Sequence, residues 1–142
     1  MKTLKTLKTL SLIAVTFLSS SFYSQCIKGN CHKGHGTFQW ENGDLYVGSW
    51  INGELNGYGD MYWDNGDHYQ GKFKDGKMKG AGNYKWENGD WYEGTWIDDK
   101  MNGQGKYFWA KSGGKYEGLF KDDQIVTTEN QETQETPSKE GN

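Results

Sequence analysis

The sequence predicts an all-β protein, a single-layer antiparallel β-meander of stacked 23-residue β-hairpins. Three observations support this: a fixed repeat period, a two-residue alternation within each unit, and a biased composition. The 142 residues include 21 Gly, 7 Trp, 9 Tyr and 6 Phe but 1 Pro. Glycine is about twice as frequent as usual, and aromatic residues favour strands. The composition therefore argues against an ordinary α/β enzyme.

The repeat period is read from the tyrosines. Tyr46, Tyr69 and Tyr92 are 23 residues apart, and Tyr116 follows after 24. Each tyrosine is followed two residues later by Gly and four residues later by Trp or Phe. A second series keeps the step of 23: Trp40, Trp63, Trp86 and Trp109. A fixed period of this length indicates a repeat architecture.

Each unit predicts a pair of strands with one packed face. Tyr46, Gly48 and Trp50 alternate with smaller or polar residues, which is the period of a strand. Between residues 26 and 120 there are 19 aromatic residues but only seven Ile, Leu or Val. The core is therefore expected to consist of rings stacked along the repeat axis, with glycines opposite them leaving room. Three residues recur as fillers at equivalent positions: Leu55, Met78 and Met101.

The strand register is predicted from the Asn-Gly connections, such as Asn42-Gly43. A two-residue turn there would place Tyr46 opposite Gln39, on the polar face. A three-residue loop, 41–43, with a left-handed Gly43 instead places Phe38 opposite Tyr46. We therefore expect the odd loop, and the equivalent pairs are Met61 with Tyr69 and Tyr84 with Tyr92. The fourth loop has one extra residue and must depart from this pattern.

Residues 1–24 predict a cleaved signal peptide. Lys2, Lys5 and Lys8 precede an apolar stretch and a run of serines, which is the order typical of such a leader. The apolar stretch is well short of the ~20 residues of a transmembrane helix. The protein is therefore expected to be exported, to the periplasm, the cell surface or the medium. Acylation of Cys26 after cleavage is an alternative, although the residues before it are bulkier than a lipoprotein signal normally has.

The remaining chain divides into a repeat domain, 25–121, and a tail, 122–142. The tail is rich in Thr, Glu, Gln and Ser, so it is expected to be acidic and disordered. Without the leader the chain carries 13 Lys, 19 acidic residues and no Arg. Because the net charge is negative, nucleic acid is not an expected partner.

The recurring Tyr-x-Gly-x-Trp/Phe, Asn-Gly and Gly-x-Gly elements resemble the membrane occupation and recognition nexus (MORN) repeat. The segments beginning at Tyr46, Tyr69 and Tyr92 match closely, and about four units cover two thirds of the chain. Departures lie at the ends: Gln25 and Ile27 replace Gly and Trp, and Asp99 replaces Gly. The resemblance implies a non-catalytic scaffold that associates with proteins or with membranes. It does not identify the partner.

Cys26 and Cys31 are the only cysteines. In an oxidising compartment they are expected to form a disulfide, with the intervening residues making a hairpin turn that brings the sulfurs together across the strands. His32 and His35 lie beside them, so a zinc site is an alternative. The spacing of the four residues is tighter than zinc fingers use, and no metal is expected.

No catalytic site or cofactor is predicted. A Cys–His nucleophile would need an orienting partner and a pocket, and the chain has three histidines. The Gly-x-Gly pairs lack the strand-to-helix context of a dinucleotide loop. The aspartates near turns lack the spacing of a calcium loop and are expected to be solvated: Asp64, Asp67, Asp98 and Asp99.

Four kinds of contact remain open for a binding protein. An unknown protein, or a second copy, could pair with the C-terminal sheet edge at Tyr116, Leu119 and Phe120, because open edges invite pairing. Glycans could stack on exposed aromatic rings. An anionic lipid surface could contact one lysine cluster, although a solvated edge is the simpler interpretation. That cluster comprises Lys72, Lys74, Lys77, Lys79 and Lys85.

Overall fold

A computed structural model of the chain describes residues 24–127. They form one antiparallel sheet of ten strands whose order follows the chain, and no helix occurs among them. The strands are β1 Gln25–Gly29, β2 Lys33–Gln39, β3 Leu45–Ile51, β4 Glu54–Tyr62, β5 His68–Lys74, β6 Lys77–Lys85, β7 Trp91–Ile97, β8 Lys100–Trp109, β9 Gly114–Lys121 and β10 Gln124–Ile125. The predicted β-meander is confirmed. The predicted signal peptide, except its last residue, and the predicted tail from residue 128 lie outside the described residues.

The β domain extends beyond the boundary at residue 121 that the sequence predicted. Asp122 and Asp123 form a turn, and β10 then pairs with Phe120 and Lys121 of β9. Ile125 packs against the hydrophobic core. The first residues assigned to a disordered tail are therefore ordered, because one apolar side chain and a tight turn return the chain to the sheet.

The connections between repeats have the predicted odd loop. Gly43 N donates to Trp40 O (3.1 Å), Trp40 N donates to Asp44 O (2.9 Å), and Gly43 has a φ of 101°. Phe38 lies opposite Tyr46, and the equivalent pairs in the next two repeats also form as predicted. In the fourth loop Gly113 N instead donates to Trp109 O (2.8 Å). A four-residue loop absorbs the extra residue and keeps the tyrosine on the core face.

The turns within each hairpin are two-residue turns with both residues left-handed, the type I′ geometry. They are Asn52-Gly53, Asp75-Gly76, Asp98-Asp99 and Asp122-Asp123. Left-handed backbone is unfavourable for residues other than Gly, least so for Asn and Asp. Asp99 and Asp123 each compensate with a side-chain bond to the preceding repeat, accepting from Met78 N and Met101 N at 2.8 Å.

The core is a continuous row of aromatic rings that runs from repeat to repeat. Neighbouring ring centroids are 5.0–5.5 Å apart, and their planes meet at 78–88°. The rings therefore follow the repeat axis, as predicted, but they pack edge to face and are not stacked. Edge-to-face contact suits the quadrupoles of neighbouring rings. In order, the row is Trp50, Tyr46, Phe73, Tyr69, Trp96, Tyr92, Phe120 and Tyr116.

Each buried tyrosine lies across a pair of glycines. Tyr46 is fully buried, and its ring covers Gly48 and Gly59, which face each other on β3 and β4. The Tyr46 hydroxyl donates to Ser49 O at 3.1 Å. Burial raises the pKa of Tyr46 to about 12, so the hydroxyl remains a donor at neutral pH. The same arrangement recurs at Tyr69 and Tyr92.

The glycine pairs form one cross-strand line from β1 to β9. Each glycine is opposite the next: Gly29, Gly36, Gly48, Gly59, Gly71, Gly82, Gly94, Gly105 and Gly118. The filler residues are also where the repeat predicts them, since Leu55, Met78 and Met101 are all buried. Space above the glycine line is what lets a one-layer sheet bury its rings.

Gly82→Ala is expected to destabilise the protein by about 1–3 kcal/mol, because an added Cβ would overlap the ring and hydroxyl of Tyr69. Urea unfolding followed by tryptophan fluorescence measures the change. Asn83→Ala is the matched control, since Asn83 is exposed on the opposite face, and it should change stability by less than about 0.5 kcal/mol. Equal stabilities of the two variants would contradict a tyrosine packed on the glycine line.

Candidate interaction surfaces

The described residues place no three His, Cys, Asp or Glu side chains together as metal ligands. His68 lies on the polar face of the sheet, where its ring stacks on Tyr62 (4.3 Å between centroids) and its Nε2 is 3.3 Å from Asp60 Oδ1. Residues 24–127 contain no helix with the length and apolar character of a membrane span. The surfaces to compare are two sheet edges, a lysine cluster and the polar face.

The N-terminal edge is held by the disulfide between Cys26 and Cys31. Cys26 lies in β1 opposite Phe38, whereas Cys31 lies in the loop between β1 and β2. The bridge therefore joins the edge strand to its own loop and not to the facing strand, so the predicted cross-strand geometry is wrong. Cys31 Sγ packs on Gly36, where an added Cβ would be 2.8 Å away. Glycine at this position thus makes room for the sulfur.

The lysine cluster divides between two ends of one hairpin. Lys74 and Lys77 face each other beside the Asp75-Gly76 turn, while Lys85 lies at the far end of β6. Lys79 Nζ is 3.6 Å from Asp98 Oδ1. Lys72, on the strand leading to the turn, places its Nζ 5.2 Å from the centre of the Tyr58 ring. Four of the five lysines therefore lie towards one end of the sheet, interleaved with carboxylates.

The outer side of β9 is paired with a neighbouring strand along only part of its length, unlike the outer sides of the strands inside the sheet. In the first repeat, β4 pairs with β3 from Leu45 to Ile51. At the end of the chain, β10 pairs only with Phe120 and Lys121, and Val126 N donates to Leu119 O (2.9 Å). Within the described residues, the stretch Gly114–Gly118 pairs with β8 alone.

The three residues that the sequence assigned to this edge have different environments. Phe120 is 3% exposed and belongs to the core row, so it is not a surface residue. Leu119 is 43% exposed, and its carbonyl already accepts from Val126 N. Tyr116 is partly buried beside the core. Among described residues, the open backbone of the edge is therefore centred nearer Tyr116 than Phe120.

The polar face carries a shallow groove of about 700 Å³ across the middle of the sheet. Its floor includes the glycine line, and its wall is a cross-strand row of polar residues. In strand order the row is Asp60, Gln70, Asn83, Glu93, Lys106 and Glu117. Two of its members, Lys106 and Glu117, form an ion pair at 3.4 Å. Trp91 and Phe108 stack on the same face at 5.9 Å.

Three aspartates link each loop between repeats to the next such loop, a role that was not predicted from the sequence. Asp44 Oδ1 accepts from Asp64 N (2.9 Å), Asp67 Oδ1 accepts from Glu87 N (2.9 Å), and Asp90 Oδ1 accepts from Ala110 N (2.8 Å). The expectation that Asp67 is solvated is therefore wrong. Asp99 is exposed as expected, although its carboxylate also accepts from Met78 N. The recurrence of Asp44, Asp67 and Asp90 at a 23-residue step, each two positions after an Asn, was the available signal.

Asp67 has three donors to its carboxylate, and Asp90 has the equivalent three with a longer bond from its tyrosine (3.4 Å from Tyr107). The second oxygen of Asp67 accepts from the Tyr84 hydroxyl (2.8 Å) and from Asn65 Nδ2 (3.0 Å). Burial alone would raise the pKa of the Asp67 carboxyl, but the bonds from Glu87 N, Tyr84 and Asn65 together lower it. The pKa of Tyr84 is raised by burial and by the same carboxylate. The ionised aspartate and the protonated tyrosine therefore stabilise each other.

Comparison with protein families gives one match. The MORN repeat model matches residues 33–45, 46–68, 69–91 and 92–114, which is more than half of the chain. The matched segments begin at β2 and end with the first residue of β9. A comparison of the sequence with curated proteins gives no significant match.

Replacing both Cys26 and Cys31 with Ser should lower the free energy of unfolding by about 2 kcal/mol, as the loop entropy of a short bridge suggests. Urea unfolding of the oxidised protein and the variant measures the difference. Non-reducing mass spectrometry of the natively produced protein should show a mass two hydrogens below that of the dithiol. Two titratable thiols per chain would contradict the disulfide.

Asp67→Asn is expected to lower stability at pH 7 by about 1–3 kcal/mol, because three donors lose a charged acceptor. Since the pKa of Asp67 is lowered in the folded state, its contribution is present above the unfolded pKa and is lost as pH falls through the folded one. The variant should therefore lose less stability than the wild type below about pH 4. Urea midpoints at pH 7 and pH 3 test this.

Asp64→Asn is the control for Asp67→Asn, because Asp64 is an exposed carboxylate in the same loop. The urea midpoint of Asp64→Asn should equal that of the wild type at pH 7 and at pH 3. A variant of Asp67 with wild-type acid sensitivity would show that the aspartate contributes nothing through its charge.

Proposed function

The chain belongs to the MORN repeat family, and we propose that it is an exported, non-catalytic module that binds another polypeptide through the C-terminal edge of its sheet. Repeats of this family are generally modules for interaction with proteins or membranes. The observation that carries the proposal is the incomplete last repeat. Because β10 and Val126 cover only Leu119, Phe120 and Lys121 of β9, the stretch Gly114–Gly118 is paired on one side only among the described residues.

The direction of the backbone N–H and C=O groups alternates along β9, and this identifies the groups that a partner strand would meet. In an antiparallel strand, the N–H and C=O of one residue point to the same neighbour, and successive residues alternate. Leu119 O bonds outward to Val126 N, so Glu117 and Lys115 also present their backbone groups outward. Addition of a strand at an open edge is a common mode of peptide recognition.

Export is supported by two features of the chain. The leader-like segment 1–24 has the charged, apolar and small-residue order of a signal peptide. The Cys26–Cys31 disulfide is typical of oxidising compartments outside the cytosol. The same disulfide distinguishes the two ends of the sheet, since it holds the N-terminal edge and does not reach the C-terminal edge.

The lipid and glycan alternatives have weaker support. Lys79 pairs with Asp98 and Lys85 is remote from the other lysines, which divides the positive charge that an anionic surface would meet. Most rings of the core row are buried, so they offer no platform to a sugar. Rings outside that row remain as platforms for a glycan: Tyr58 and Tyr62, which are 63% and 43% exposed, and the stacked pair Trp91 and Phe108.

Glu117→Pro tests the proposal, because proline removes the outward N–H at the centre of the open edge. Capture of polypeptides from the exported fraction by tagged mature protein should fall to the level of beads alone. Glu117→Ala is the matched control, since it keeps the N–H and removes only the side chain. It should capture at least part of the wild-type amount.

Folding of both variants is checked by the near-ultraviolet signal of the tryptophans. Unchanged capture by folded Glu117→Pro would rule out edge pairing and favour the polar face as the docking surface. Complete loss of capture with Glu117→Ala would assign recognition to the side chain and not to the backbone.

A further inference from the structure

The groove on the polar face is distinct from the edge of the sheet, and its walls are largely polar. Its lining comes from every strand between β4 and β9, so it runs across the strands for about 24 Å at the usual spacing of neighbouring strands. One wall is the row of polar residues from Asp60 to Glu117. The opposite wall comprises Tyr58, Ala81, Thr95 and Gln104.

The backbone of the groove floor is not available to a ligand. Strands β4 to β8 each have a neighbouring strand on both sides, so their N–H and C=O groups are used within the sheet. Apart from Tyr58 and Ala81, the lining residues are polar or are glycines. A docked polypeptide relies on a free strand edge or on apolar anchors, and these lining residues supply little of either. A ligand here is therefore recognised by polar side chains and exposed rings.

Three polar side chains of the groove are available to a ligand. Asn83, Glu93 and Gln104 are exposed, and within residues 24–127 their side chains make no hydrogen bond or ion pair. An amide offers both donors and an acceptor, a carboxylate offers acceptors, and a hydroxyl both donates and accepts. A chain of sugar rings lying across the strands would meet one member of the polar row at each strand.

The charge of the groove favours an uncharged ligand. Its lining includes three carboxylates, those of Asp60, Glu93 and Glu117, and one ammonium group, that of Lys106. Lys106 already pairs with Glu117, so the remaining charge is negative. Phosphate-bearing polymers and acidic polysaccharides would be repelled, whereas a neutral sugar chain would not.

Exposed rings lie on both sides of the polar row. Tyr58 and Tyr62 are 63% and 43% exposed, and because side chains two residues apart share a face, β4 presents a ring, the Asp60 carboxylate and a second ring together. Aromatic rings of this kind combine an apolar body with a polar end. They suit a ligand that has both apolar C–H faces and hydroxyl groups.

A second, smaller hollow of about 320 Å³ lies on the other side of the polar row. Its outer border is a cross-strand row that contains three aromatic residues, and three members of the polar row line both hollows, namely Gln70, Asn83 and Glu93. In strand order the outer row is Tyr62, His68, Lys85, Trp91 and Phe108. The polar row is therefore accessible from two sides.

We propose that the polar face is a second binding site, which takes an uncharged linear oligosaccharide laid across strands β4 to β9. Hydroxyls of the sugar chain bond to the polar row, and exposed rings cover its C–H faces. The site is separate from the proposed C-terminal edge, since Asn83 and Gln104 lie on strands that are paired on both sides. An exported protein would meet such chains in cell-surface or extracellular polysaccharides.

Isothermal titration calorimetry of the mature chain tests the ligand class with a panel of neutral hexasaccharides: cellohexaose, xylohexaose, laminarihexaose, mannohexaose and chitohexaose. At least one should bind with one site per chain. Hexagalacturonic acid, which is anionic, should bind at least about tenfold more weakly than that sugar. Failure of the whole panel to bind would overturn the proposal, as would equal or tighter binding of the anionic sugar.

Asn83→Ala tests the position of the ligand, because it removes an exposed amide from the polar row. The dissociation constant for the bound hexasaccharide should rise about tenfold through the lost hydrogen bonds. Gln39→Ala is the matched control, since it removes an amide from the same face of β2, two strands outside the groove. It should bind like the wild type, and wild-type affinity of Asn83→Ala would overturn the groove as the site.

Tyr58→Ala tests the contact with an exposed ring, and Tyr58→Phe is its control. The dissociation constant should rise about tenfold or more in Tyr58→Ala and should stay within about threefold of the wild type in Tyr58→Phe, which keeps the ring. Urea unfolding checks that all variants fold. Wild-type affinity of Tyr58→Ala would overturn the ring contact.

Capture of polypeptides separates this site from the edge. Asn83→Ala should capture polypeptides from the exported fraction like the wild type, because Asn83 lies inside the sheet and not at its edge. Loss of that capture would assign the groove to a polypeptide and overturn the oligosaccharide as its ligand. Sugar binding that persists when edge capture fails would leave the present proposal standing without the edge function.

Discussion

The tyrosine ring lying across two glycines is the interaction on which this fold depends. A single-layer sheet has no second layer to cover its apolar face, so its rings must cover one another. Tyr69 does this by lying flat over Gly71 and Gly82, which brings it within edge-to-face contact of Phe73 and Trp96. Its hydroxyl is satisfied by a backbone carbonyl three residues ahead. Complete burial is thus reached with side chains from one strand pair and its neighbours.

This arrangement makes stability a property of neighbouring repeats. Tyr46 contacts Trp50 of its own hairpin and Phe73 of the next at the same centroid distance, 5.2 Å. The aspartates that bridge successive loops also couple neighbouring repeats, since Asp67 accepts a hydrogen bond from a backbone N–H twenty residues further along the chain. Each unit is therefore stabilised mainly by adjacent units, as expected of repeat proteins. The end units lack one neighbour and need other means of support.

The period, the faces and the register followed from the sequence because they depend only on the parity of a strand. Placing Tyr46 on the ring face requires an odd loop, and that requirement fixed Phe38 as its partner. Features that join residues about twenty positions apart were not accessible in this way. The bonds from Met78 N to Asp99 and from Met101 N to Asp123 both depend on how one hairpin lies against the next. A charge count along the chain likewise could not show that Lys85 lies at the far end of its strand.

The two ends of the sheet solve the same physical problem differently. An open sheet that grows by identical hairpins exposes backbone donors and acceptors at both edges, and unlimited growth or aggregation is the hazard. At the first edge, the Cys26–Cys31 bridge fixes β1 to its own loop. At the last edge, β10 covers only part of β9. The protection of the two ends is therefore unequal. A covalent bridge fixes the edge strand at one end, whereas at the other end the stretch Gly114–Gly118 is paired on one side only among the described residues.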